Sequence, residues 1–104
     1  MSERGCSVMK PQGVELYEQE FTIQNRLGLH LRAANKVVRV ASRFSSDIWL
    51  SREGLEVDAK SIMGLALLAA SFGTRIKVKA RGSDAREAVA ALGALIDGKF
   101  EEED

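Results

Sequence analysis

One cysteine, one histidine and one proline stand in a chain of 104 residues, with four phenylalanines, one tyrosine and one tryptophan. Each scarcity removes a class of chemistry. Cys6 cannot form an internal disulfide, a usage that fits a reducing compartment. One Cys and one His cannot make a zinc site unaided. Neither sign of charge predominates, because 15 Lys and Arg meet 15 Asp and Glu. That balance lacks the basic excess of a nucleic-acid binder. The longest apolar run, Ile62 to Ala70, is broken by Gly64 and is too short to span a bilayer. The opening "MSERGCSVMKPQG" has no apolar h-region and does not read as a secretory signal. The expected location is cytoplasmic. Glycine-rich phosphate loops of the Walker or Rossmann type are missing, and no serine sits in a recognisable nucleophile elbow.

The length fits one domain, enough for a modest core without staples. Residues 1–17 read as a flexible leader carrying Gly5, Pro11 and Gly13. Residues 18–100 form the domain, and 101–104 an acidic tail. From Tyr17 onward the apolar period switches repeatedly. Tyr17, Phe21 and Ile23 alternate with polar neighbours, as in a half-buried strand. Ala34, Val37, Val38, Ala41 and Phe44 recur at helical spacing. Ile48/Leu50 and Leu55/Val57 alternate again on either side of "SREG", which predicts a hairpin turning at Gly54. Trp49 should point away from the Ile48/Leu50 face. Ser61 opens a short helix expected to end near Gly73. Ile76, Val78 and Ala80 make a fourth strand. Asp84 and Glu87 have capping-box spacing ahead of a helix through Ala85, Ala88, Val89, Leu92 and Ile96. The order βαββαβα predicts an α+β domain: one mixed or antiparallel sheet, helices on one face and the other open to water. The first crossover should be right-handed and of split βαβ type.

The only histidine lies in "GLHLRAA". His30 falls at or just before a helix start, where backbone N–H groups are unpaired and the dipole favours an anion. Arg32, in the first turn, is mildly unfavourable for the helix itself, but its planar fork suits phosphate oxygens. Such a pair can take up, hold and release a phosphoryl group, because loose phosphoryl transfer needs positioning and charge stabilisation. A plainer reading stands beside it: His30 as a capping or packing residue and Arg32 as a solvated charge. From spacing alone the plainer reading carries more weight.

"NRLGLHLRAANKVVRVASRF" resembles the active-site segment of the HPr family, the histidine phosphocarriers of the bacterial phosphotransferase system, whose usual form is GLHARPA. "VDAKSIMGLALLAASFGTRIKVKARGSDAREAVAAL" is similar to the family's second signature and the segment after it. The resemblance covers about residues 18–100 in the same element order. It implies an open-faced β-sandwich, with a four-stranded antiparallel sheet under three helices. It implies that His30 is phosphorylated, on Nδ1, and that Arg32 stabilises the phosphate. The donor would be enzyme I charged by phosphoenolpyruvate, and the acceptor a IIA-type domain. The protein would be a monomeric carrier with a phosphohistidine intermediate rather than a turnover enzyme. It would use no cofactor, metal, nucleic acid or membrane insertion.

The sequence departs from the family form at two places. Ala33 replaces a proline that preorganises the helix start, and Leu31 replaces a small or polar residue. Ser61 occupies the family's regulatory position, which an HPr kinase/phosphorylase would modify; its plain reading is a helix N-cap. Ile62 and Met63, with Leu31, are expected at the partner interface. Leu65 and Leu68 are expected in the core. Arg39 could supply a charged rim or merely a solvated helix face. Two other functions compete: a regulatory module of the same fold that acts by partner binding, and a small ferredoxin-like ligand- or RNA-binding domain. The neutral charge and the lack of RNP-type aromatics count against the last.

Overall fold

The computed structural model describes residues 7–9 and 15–101. Cys6, Pro11 and most of the expected leader, and residues 102–104 of the acidic tail, lie outside the described residues. The elements are β1 (Ser7–Met9), β2 (Glu15–Thr22), α1 (Leu31–Ala41), β3 (Asp47–Arg52), β4 (Leu55–Asp58), α2 (Ile62–Leu68), β5 (Arg75–Gly82) and α3 (Ala85–Asp97), with a short 3₁₀ turn over Lys99–Glu101. The strands form one sheet in the order β1-β2-β5-β3-β4, and every pairing is antiparallel. The βαββαβα order and the four-stranded antiparallel sheet stand as expected. The leader boundary shifts. Glu15, Leu16 and Tyr17 pair with Gly82, Arg81 and Ala80, so β2 starts ahead of residue 18. Ser7–Met9 adds a fifth strand along its outer edge.

Alternation explains the two faces. Ile48, Leu50, Ile76, Val78 and Ala80 point inward and are buried against Ala33, Ala34, Val37, Leu65, Leu68, Val89, Leu92 and Ile96 of the helices. The intervening residues face water. Lys77 pairs with Glu18 at 3.8 Å and Lys79 with Glu56 at 2.8 Å. Trp49 lies on this open face, as its register predicts, with the Lys79 ammonium 5.2 Å from its ring centroid. The β3–β4 hairpin turns through Glu53 (φ 49°) and Gly54 (φ 87°). Two successive positive φ values match the primed turn that a two-residue hairpin favours.

Two helix boundaries differ from expectation. α2 stops at Leu68, because Ala69 adopts the left-handed conformation (φ 48°, ψ 42°) and its N–H bonds Leu65 O. Gly73, the expected cap, instead takes φ 84° in the turn where Thr74 N–H donates to Ser71 O at 3.0 Å. The capping box at α3 does not form, because Asp84 makes no side-chain cap bond. Its carboxylate accepts from the amides of Ser45 and Ser46 at 2.9 and 3.0 Å, and from the Ser46 hydroxyl. A carboxylate that finds donors on the α1–β3 loop is better satisfied there than by capping its own helix. The Ser46 hydroxyl lowers the Asp84 pKa most; burial opposes it and the Ser45 and Ser46 amides add to the lowering.

Candidate functional site

The loop before α1 is built from local hydrogen bonds. Gly28 N–H donates to Asn25 O at 3.1 Å, and the fully buried Asn25 amide returns a bond to Gly28 O at 2.8 Å. Gly28 sits at φ +67°, and a Cβ there would lie 2.5 Å from Ala70 O and 2.8 Å from Ser71 Cα. Only glycine meets both demands, an αL backbone and a close approach. Leu29 follows, buried at 6% exposure, with its N–H on Ala70 O at 2.8 Å. The loop is thus clamped between its own turn and the segment that leaves α2.

His30 is the N-cap of α1, with extended backbone (φ −83°, ψ −178°) and no side-chain capping bond. Its carbonyl accepts from Ala34 N–H at 2.8 Å, the first helical bond. The half-buried imidazole therefore stands at a helix start without serving as its cap, and the first turn contains no acidic residue. The positive end of an 11-residue helix is left without an anionic neighbour on its own element, which favours an incoming anion. Arg32, the second helical residue, is exposed beside it. Ala33, at the position where the family carries proline, is fully buried, and α1 still begins at Leu31.

The remaining candidates fall in different settings. Ser61 caps α2, its Oγ accepting from Gly64 N–H at 3.0 Å. Leu65 and Leu68 are fully buried, whereas Met63 is 78% exposed. Ile62 is half-buried and packs on the core, so it contributes less open surface than Met63. Arg39 lies in the last turn of α1, where a cation suits the dipole. It is exposed and, seven residues on, shares a helix face with Arg32. The loop carrying His30 meets α2 at its C-terminal end, through Ala70, whereas Ser61 caps the opposite end.

Several site residues were not picked out from the sequence. Leu27, Leu67 and Phe72 are 70%, 72% and 63% exposed. Leu27 belongs to the His30 loop, and Leu67 and Phe72 flank the turn that contacts it. Met63 and Leu67, four apart, share one face of α2. With Leu31, 67% exposed, these side chains leave open apolar surface on the His30 loop, on the start of α1 and along α2. Asn25 and Gly28, three apart in "NRLG", carried a readable turn signal. Among the described residues no cluster of three or more His, Cys, Asp or Glu could hold a metal. No helix among them is long and apolar enough to cross a membrane.

Comparison with known proteins adds the lineage. A family model described as "PTS HPr component phosphorylation site" matches residues 17–98. The phosphocarrier protein HPr of Xylella fastidiosa strain Temecula1 is 49% identical over 88 residues, covering 85% of this chain and 99% of that protein. The HPr of Neisseria meningitidis serogroup A is 46% identical over 87 residues, covering 84% and 98%. The crystal structure of HPr-C-His from Thermoanaerobacter tengcongensis superposes with a TM-score of 0.81 at 46% identity, covering 84% of this chain and 98% of that one. Sandwich architecture and sequence together define the class as phosphocarriers of the phosphotransferase system. Within that class, the chain belongs to the HPr family.

Proposed function

We propose that His30 is the residue that carries the phosphoryl group. One observation bears most of the weight: His30 stands at the start of an 11-residue helix that has no acid in its first turn. A ring nitrogen that bears no proton, Nδ1 by resemblance to the family, attacks the phosphorus of phospho-enzyme I. The new N–P bond forms as the donor's bond to phosphorus breaks, and the electron pair of that bond stays with the donor. Transfer to a IIA-type acceptor runs the same exchange with His30 as leaving group. The helix start and Arg32 stabilise charge on the phosphoryl oxygens, which is the main demand of a loose transition state.

Docking would use Leu27, Leu31, Met63, Leu67 and Phe72, with Ile62 at their edge and Arg32 and Arg39 as charged rim. That set suits partners offering apolar surface flanked by carboxylates. The reading places the protein in the cytoplasm as a monomer. Ser61 is the proposed target of an HPr kinase/phosphorylase. Phosphate on its Oγ would add negative charge beside Met63 and weaken docking of acidic partners.

The test is a reconstituted relay from phosphoenolpyruvate through enzyme I and this protein to a IIA domain. Acid-labile phosphate should reach the acceptor with the native protein and not with His30→Ala. A second reading, partner binding without transfer, draws on the 78% exposure of Met63. It predicts partner binding that ignores His30→Ala and falls with Met63→Glu.

A further inference from the structure

The end of α2 is held in an unfavourable shape. Ala69 occupies the left-handed region, which a residue with a Cβ adopts only at a steric cost. Such a conformation persists only where the surroundings fix it. On one side of Ala69, the Ala70 carbonyl accepts from Leu29 N–H, next to His30. On the other side lies the Leu68 carbonyl. A continued helix would offer it the Phe72 N–H, but the left-handed turn ends the helix first. It is a terminal helix acceptor that needs an outside donor. Arg52, at the end of β3, supplies one: its Nε–H donates to Leu68 O at 2.8 Å. The bond is charge-assisted, and a cation is favoured at a helix C-terminus. The Arg52 side chain is only 28% exposed, although its outer nitrogen also reaches Glu53 at 3.3 Å.

We propose that Arg52 is a positioning residue for the His30 site. Resting on the phosphocarrier reading above, it acts through Leu68, Ala69 and Ala70. It fixes the left-handed turn, the turn presents Ala70 O to Leu29, and Leu29 sets the backbone that places His30 at the start of α1. The hairpin that bears Arg52 lies outside the loop it supports, so the residue has no need to touch phosphate or partner.

The test compares native protein with Arg52→Met, Arg52→Gln and Arg52→Lys. Amide hydrogen exchange at Leu29 is read against Val78 in the sheet, alongside the kinetics of phosphoryl uptake from phospho-enzyme I. Loss of one supporting hydrogen bond should speed Leu29 exchange by roughly fivefold while Val78 stays protected. The kcat for uptake should fall by a similar factor with KM unchanged, and Arg52→Lys should restore most of both. Arg52→Gln gives the same comparison if Arg52→Met does not fold. The proposal is overturned by Leu29 exchange at the native rate. It is equally overturned by Leu29 and Val78 loosening together, or by native uptake kinetics despite faster Leu29 exchange. A native protein that takes up no phosphate defeats the phosphocarrier reading instead, and the exchange comparison still decides whether Arg52 holds the loop.

Discussion

The amide of Leu29 and the carbonyl of Ala70 lie 2.8 Å apart, and that bond joins the two signature segments of the sequence into one site. The segment before α1 supplies His30. The segment leaving α2 supplies the wall against which His30's loop is set, and the apolar side chains around it. Gly28 lets the two backbones meet.

Gly28→Ala tests that closeness. The added Cβ would meet Ala70 O at 2.5 Å, with φ at +67°. The backbone conformation alone costs about 1–2 kcal/mol, and relief of the clash pushes Leu29 away from Ala70. Urea denaturation should show a loss of at least about 1 kcal/mol, and phosphoryl uptake should slow. Native stability in the variant would contradict the clamp.

Ala69→Gly should act in the opposite direction. Glycine relieves the left-handed strain at φ 48°, and its greater freedom in the unfolded chain takes back part of the gain. A net stabilisation of about 0.5 kcal/mol is expected, a rise of roughly 2–4 °C in Tm. A fall in Tm would show that Ala69 is not strained.

Asp84 makes stability depend on pH. The Ser46 hydroxyl, helped by the Ser45 and Ser46 amides, holds its carboxyl below the usual carboxylate range in the folded protein. The ionised form is therefore the one that folding favours. Its contribution is fully present above the unfolded value and is lost as pH falls through the lowered one. Asp84→Asn should be less stable than native protein near neutrality. The gap in urea midpoint should narrow from about pH 4 downward. A gap that stays constant with pH would contradict the assignment.

Met63→Glu and Leu67→Glu probe the exposed apolar face of α2. Both positions are exposed, at 78% and 72%, so Tm should change by less than the equivalent of about 0.5 kcal/mol. KM for enzyme I should rise about tenfold or more if these side chains are buried on docking. Unchanged kinetics would remove α2 from the interface.

Much of this arrangement is legible in the sequence, because periodicity reports which side of an element is buried. The alternation of Ile76, Val78 and Ala80 gives the face of β5, and "SREG" gives the hairpin. What stays hidden depends on tertiary contact. Nothing local marks Ala69 as a left-handed residue when Gly73 lies downstream as a more conventional stop. Asp84 has capping-box spacing, yet its acceptors are taken by Ser45 and Ser46, 39 and 38 residues away. Leu67 and Leu68 are neighbours of the same type, one 72% exposed and the other fully buried. Only the packing of α2 on the sheet separates them. For His30, position at the helix start is readable. Its freedom from a capping role emerges only from the geometry.

The most direct measurement is a rapid-quench single turnover between phospho-enzyme I and the native protein, with His30→Ala run beside it. One acid-labile phosphate is expected on the native protein, mapped to the imidazole of His30, and none on the variant. Phosphate on His30→Ala, or none on the native protein, would contradict the carrier role of His30.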